Sequence, residues 1–266
     1  MTKSLALLPL LFALHACSEP EEVELSDEDF ARMAEGIPVP APENPDAEAF
    51  EKTLKDELID FTFAYPAEAA AIAKLRKDLD SKFETSLSEL RAMAQQEAEM
   101  RKKMGMDFGG LYSKSVYTTQ GNSERFLSLL GEIETYTGGA HGNRGTVAIF
   151  WDRVTEKPVD AAVLFGDADR RDGALRAAFC QELEVKRRSR VGDVPDDSMF
   201  SQCPDLDAVT IVPVDGNDDG SFDTFRLIAD PYVAGAYAEG DYRIELPATR
   251  ARIAEVAEPY RSAFGQ

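Results

Sequence analysis

The chain has little histidine, little cysteine and a deficit of basic side chains. Its 266 residues include 2 His and 3 Cys, and 29 Lys plus Arg stand against 49 Asp plus Glu, for a formal net charge of −20. This charge argues against a nucleic-acid partner, because phosphate binding needs clustered Lys and Arg. So few His and Cys side chains are also too few for a zinc site. We therefore expect no nucleic-acid partner, no metal and no cofactor.

The apolar run at residues 5–14 is too short to cross a bilayer as a helix. Lys3 precedes the run, and this charged-then-apolar order is that of a secretory signal. The run ends in Leu14-His15-Ala16-Cys17, which resembles a bacterial lipobox, where the cysteine is acylated and the bond before it is cut. We expect a lipoprotein signal peptide over residues 1–16 and lipidation at Cys17. An ordinary signal with a chance cysteine is the alternative.

Residues 17–46 combine acidic side chains with several prolines. Such a stretch stays extended and solvated, so we expect a tether between the lipid and the folded part. Ser18 follows the lipidated cysteine, which by resemblance to sorted lipoproteins favours the outer membrane, with the protein facing the periplasm.

Signal cleavage would leave His141 as the one histidine of the mature protein, and Cys180 and Cys203 as its unmodified cysteines. In an oxidising compartment two such cysteines pair, so we predict a Cys180–Cys203 disulfide.

Hydrophobic periodicity predicts an α+β fold with antiparallel sheets, one long N-terminal helix and a second helix. The long helix covers residues 67–104, as one helix or as two joined near Ser81, and its apolar stripe is expected to face the core. The second helix covers residues 173–190, and a short one residues 248–256. Strands are predicted at 58–65, 112–119, 126–136, 146–152, 208–213, 222–228 and 242–246, of which the second to fourth form an antiparallel meander.

Four segments are similar, in order, to motifs of one family: 136–143 with Gly-Gly-Ala-His, 162–166, 230–240 and 244–247. They resemble the paired DUF4163 and DUF3298 modules of bacterial extracytoplasmic proteins. That family includes the ectodomain of a lysozyme-sensing anti-sigma factor and the non-catalytic N-terminal part of a PdaC-type peptidoglycan deacetylase. The resemblance implies two small modules, at residues 47–152 and 153–266.

The motif residues suit a binding surface. Two glycines permit positive φ and a close backbone approach, and tyrosines offer flat faces with a hydroxyl group for sugars or proteins. The alternative is that the glycines form a tight turn, His141 caps it and the tyrosines fill the core. Gly142 stands where the family more often has proline. The candidate binding residues are Tyr136, Gly138, Gly139, His141, Asn143, Tyr232 and Tyr237.

The segment 215–223 is similar to the first half of a calcium loop, with oxygen-bearing side chains at its positions one, three and five and glycine at six. Position twelve is Arg226 in place of the bidentate Glu. An acidic hairpin turn is the simpler interpretation.

Enzymatic interpretations are weak. No Gly-x-Ser-x-Gly motif precedes His141, and a deacetylase catalytic domain would need further histidines for its metal. We expect a non-enzymatic, lipid-anchored envelope protein that binds or senses a muramidase or a peptidoglycan fragment. By resemblance the muramidase is a lysozyme, a cationic protein that the acidic chain would attract. A structural or assembly lipoprotein is the alternative, and an unrecognised hydrolase is a third.

Overall fold

A computed structural model describes residues 44–193 and 198–265. The predicted signal peptide, the lipidation site Cys17 and the tether up to residue 43 lie outside these residues. Within the described ranges, no helix is both long and apolar enough to cross a membrane.

The N-terminal half is a six-stranded sheet crossed by a long helix. The strands lie in chain order: β1 Phe50–Lys55, β2 Ile59–Tyr65, β3 Leu111–Asn122, β4 Phe126–Tyr136, β5 Asn143–Asp152 and β6 Lys157–Pro158. Helices α1 (Ala67–Ala70) and α2 (Ala73–Lys103) connect β2 to β3, which therefore run parallel. All other neighbouring pairs are antiparallel.

The C-terminal half packs helices against a three-stranded antiparallel sheet. Its helices are α3 (Ala161–Phe165), α4 (Ala168–Val191) and α5 (Arg250–Glu255). Its strands are β7 (Thr210–Val214), β8 (Thr224–Ala229) and β9 (Tyr242–Pro247), in the order β7-β8-β9.

The predicted α+β fold, the antiparallel meander and both long helices are confirmed. Two local features differ from those predicted. Strand β1 precedes the first predicted strand and was missed because its exposed positions carry Glu51, Lys52 and Lys55, as is typical of a sheet edge. The helix break lies at residues 71–72 and not near Ser81. The predicted Cys180–Cys203 disulfide is present and joins α4 to the segment before β7.

The six-stranded sheet has two different faces, because side chains alternate along each strand. Helix α2 covers one face with the predicted apolar stripe, of which Leu75, Leu79 and Leu90 are buried. The C-terminal sheet packs on part of the other face, where Leu130 and Ala148 meet β7 and β8. Another part of that face is not covered by the C-terminal sheet, and we call this part the open face. It is formed by the alternate residues 112, 114 and 116 of β3, 132, 134 and 136 of β4, and 144 and 146 of β5.

Candidate functional site

The turn between β4 and β5 carries the Gly-Gly-Ala-His motif. Gly138 and Gly139 have φ angles of 100° and 106°, which only glycine adopts without strain. Their conformation lets the chain reverse while the Tyr136 hydroxyl donates a hydrogen bond to the Gly139 carbonyl oxygen over 3.1 Å. The glycines therefore shape the turn that presents His141 to solvent.

The His141 ring lies beside the rings of Tyr232 and Tyr237, and we call these three residues the aromatic cluster. The imidazole stacks on Tyr237 with 4.0 Å between ring centroids, and Tyr232 lies 5.8 Å from Tyr237. The His141 Nδ1 lies 2.8 Å from the Gly142 carbonyl oxygen, which can only accept, so Nδ1 carries the proton. In the neutral imidazole, Nε2 then accepts from the Tyr232 hydroxyl over 3.2 Å. Residues that are far apart in sequence thus meet at the surface.

Tyr232 has an unusual backbone conformation. Its φ angle is 73° and its relative exposure is 54%. A non-glycine residue in the left-handed region is strained, and here it lies in a turn in which the Tyr232 amide donates to the Gly235 carbonyl oxygen over 3.0 Å. The Tyr232 ring lies beside His141, with 6.4 Å between the ring centroids.

The loop that carries both tyrosines is anchored at its start and at its end. Asp230 accepts hydrogen bonds from the amide and hydroxyl of Thr146 on β5, and burial raises the pKa of its carboxyl. At the other end, Tyr242 donates to Glu239, and burial together with this bond raises the pKa of Tyr242 to about 12.

Helix α4 also holds this loop. The buried Arg187 donates to the carbonyl oxygens of Ala234 and Gln202 over 2.9 and 3.1 Å. Arg190 donates to the Glu239 and Asp241 carbonyl oxygens and lies over the Tyr242 ring. Neither arginine was predicted as a site residue, because nothing in their helical spacing indicates a contact across the core.

Tyr136 and Asn143 lie outside the aromatic cluster. Tyr136 stacks on Tyr112 of β3 with 5.9 Å between centroids, on the open face. Asn143 opens β5, pairs with Thr135 and is exposed. Tyr112 was missed as a site residue, although the alternation of polar and apolar residues in β3 places it on an exposed face.

Glycine is needed at position 142 because neighbouring atoms leave no room for a side chain. Its φ angle is not positive, so backbone strain is not the reason. A Cβ atom here would collide with the Tyr112 hydroxyl and would lie 2.8 Å from the Thr135 carbonyl oxygen. We expect Gly142→Ala to lower the free energy of unfolding by about 1–3 kcal/mol, because backbone or Tyr112 must move. Urea denaturation measures this change.

Gly109→Ala is the matched control, because no atom lies within 4 Å of its added Cβ and its φ angle is not positive. We expect that variant to change stability by less than about 0.5 kcal/mol. Equal effects of the two substitutions would contradict the assigned clash.

Two cavities lie along the open face. One of about 220 Å³ lies between β3–β5 and the loop at Asp230 and Asp241. The other, of about 400 Å³, lies between β1 and β4 beside Tyr112 and Tyr136. Both cavities are lined by Lys114 and Glu134, so they are neighbours on one surface.

The acidic segment 215–223 forms the turn between β7 and β8. The Asp215 carboxylate accepts from the amides of Asp219 and Gly220, and Asp223 accepts from the amide of Gly216. These bonds are those of an acidic hairpin turn. In the described part of the chain, no group of three or more His, Cys, Asp or Glu side chains is placed to hold a metal ion.

Residues 52–144 match the model of the protein family described as Deacetylase PdaC. We refer to residues 52–144, which are similar to this family's model, as the PdaC-like module. The match contains β2 to β4, α2 and the turn with His141, and it confirms the resemblance expected from the sequence motifs. The word deacetylase describes the protein after which that family is named.

Two solved DUF3298 family structures are similar to this chain. The one from Bacteroides fragilis has 15% sequence identity and a TM-score of 0.46, over 82% of this chain and 97% of that one. The one from Pseudomonas aeruginosa has 14% identity and a TM-score of 0.43, over 84% of this chain and 99% of that one. No curated protein matches the chain significantly.

Proposed function

We propose that this protein is an exported, lipid-anchored envelope protein whose PdaC-like module and C-terminal half form a non-enzymatic binding or sensing unit. Its ligand is a muramidase or a peptidoglycan fragment. The observation that supports this proposal is the aromatic cluster beside the open face, in which His141 and Tyr232 are exposed and Tyr237 is half-buried.

Three properties of the cluster suit recognition. Its rings are flat apolar surfaces with polar atoms at their edges, which suits contact with sugars or with a protein. Its members come from the β4–β5 turn and the loop after β8, so the surface exists only in the folded chain. The strained backbone at Tyr232 carries an exposed side chain, and strained backbone is frequent at binding sites.

The test is calorimetric titration of the protein with lysozyme and, separately, with muropeptides, using Cys17→Ser to prevent acylation. We expect His141→Ala and Tyr232→Ala to weaken binding about 30-fold, the effect of losing a 2 kcal/mol hot spot, without lowering the melting temperature. Val185→Ala, an exposed change on α4, is the control and should alter neither quantity.

The alternative is a structural or assembly lipoprotein in which the cluster fastens the β4–β5 turn to the loop after β8. Under that alternative the two substitutions lower the melting temperature and no ligand binds. Titration at two salt concentrations separates recognition from attraction between an acidic chain and a cationic protein, since screening abolishes the latter. Turnover of cell-wall material would contradict the non-enzymatic assignment.

A further inference from the structure

The smaller cavity of the open face has an uneven distribution of charge. At one end lie three carboxylates, those of Glu132, Asp230 and Asp241, with one guanidinium, that of Arg243. Arg243 donates to Glu132 and to Asp241. Because carboxylates outnumber cations at this end, it favours a positively charged group.

The other end of the cavity has the opposite excess. Lys114, Glu134 and Arg144 are neighbours across β3, β4 and β5. Arg144 and Glu134 form an exposed ion pair of 3.2 Å. Lys114 forms no ion pair with any residue of the described ranges 44–193 and 198–265. This end therefore offers an unpaired ammonium group and an exposed guanidinium to an anion.

The spacing of the two ends follows from strand geometry. Glu134 and Arg144 are each two residues from Glu132 and Thr146 along their strands, and two residues in a strand span about 7 Å. Asp230 joins the negative end through its hydrogen bonds to Thr146. This separation matches the distance between the charged ends of a diamino-acid residue such as lysine.

The floor between the two ends is narrow and partly apolar. Val116, Gly145 and Pro231 are apolar residues among those that line it, and the cavity of about 220 Å³ is large enough for one or two residues of a peptide. A cavity of this size is too small for a protein domain.

We propose that this cavity binds the peptide part of a peptidoglycan fragment through a diamino-acid residue. The free ammonium group lies at Glu132, Asp230 and Asp241, and the carboxylate at Lys114 and Arg144. This inference rests on the proposed function and selects the peptide, not the glycan or a muramidase, as the group recognised here.

The test is titration of the Cys17→Ser protein with the tripeptide L-Ala-γ-D-Glu-L-Lys. We expect saturable binding that weakens about tenfold, or about 1.4 kcal/mol, when the lysine side chain is acetylated, because the charge-assisted hydrogen bonds of its ammonium group are lost. We expect the same loss when the C-terminal carboxylate is converted to an amide. Unchanged affinity for both modified peptides would overturn the proposal.

Lys114→Gln tests the anion end. It should weaken binding of the free tripeptide about tenfold, but it should not further weaken binding of the C-terminal amide. Lys102→Gln makes the same charge change at an exposed position on α2 and should leave the affinity unchanged. Equal effects of Lys114→Gln and Lys102→Gln would show that Lys114 acts only through its long-range charge. This result would overturn the assignment.

Asp241→Asn tests the cation end, with a melting curve to verify folding because Asp241 also accepts from Arg243. The substitution should weaken binding of the free tripeptide but not binding of its acetylated form. If both cavity variants bind the tripeptide normally while His141→Ala still abolishes muropeptide binding, the cavity assignment fails and the proposed function stands. If neither muropeptide, lysozyme nor tripeptide binds, both fail.

Discussion

Asp152→Ala is expected to lower the free energy of unfolding by about 3–5 kcal/mol, the cost of removing one partner of a buried ion pair. The Asp152 side chain has 0% exposure and receives two hydrogen bonds from Arg125, over 2.9 and 2.7 Å. It also accepts from the Val154 amide. The substitution leaves the guanidinium, itself 18% exposed, without its counter-charge.

This ion pair also connects the two halves of the chain. Arg125 donates a third hydrogen bond, over 3.1 Å, to the carbonyl oxygen of Pro259 near the C-terminus. Loss of Asp152 therefore loosens a contact between the β4–β5 region and the segment at Pro259. Urea denaturation followed by circular dichroism gives the free energy, and an unchanged slope shows that the transition is the same.

Glu184→Ala provides the matched comparison. Glu184 pairs with Arg188 one helical turn later at 3.0 Å, with side-chain exposures of 48% and 65%. Such exposed helix pairs contribute about 0.3–0.5 kcal/mol. A similar loss for Asp152→Ala and Glu184→Ala would contradict the argument that burial makes the Asp152 pair important.

Removal of the Cys180–Cys203 disulfide, by changing both cysteines to serine, is expected to cost about 3 kcal/mol. The bridge closes a loop with a sequence separation of 23, and a cross-link of this length removes conformational entropy from the unfolded chain. Denaturation midpoints of the two proteins under oxidising conditions measure the difference.

The disulfide is also coupled to the candidate site through Arg187. This buried arginine donates to Gln202, next to Cys203, and to Ala234 in the loop of Tyr232 and Tyr237. We therefore expect the double serine variant to bind the proposed ligand more weakly as well. A reducing agent should lower the denaturation midpoint of the natural protein and leave that of the double serine variant unchanged. Equal midpoints for the two proteins without reductant would contradict the prediction.

Much of the fold was predictable because the periodic segments are long. The stripe along α2 and the alternation in β3–β5 mark their buried faces directly. Strand β1 was not predictable, since an edge strand with charged outer residues lacks the usual β pattern. The parallel pairing of β2 and β3 was not predicted either, because it depends on how α2 crosses the sheet.

The candidate site was also predictable only in part from the sequence. His141, Tyr232 and Tyr237 were selected from their motifs, and the structure brings these three together. Tyr112, Asp230 and Arg187 were not selected. Their roles depend on contacts between residues that are far apart in sequence, such as the bond from Arg187 to Ala234.

The sequence by itself determined the types of the main helices and strands, the α+β class and the pairing of Cys180 with Cys203, because these follow from local periodicity and from the small number of cysteines. Only the tertiary structure decided which face of the six-stranded sheet stays open and that its charges separate into two ends. The physical reason is that strand pairing brings side chains of β3, β4 and β5 together, and the loop after β8 reaches them only when the two sheets pack together.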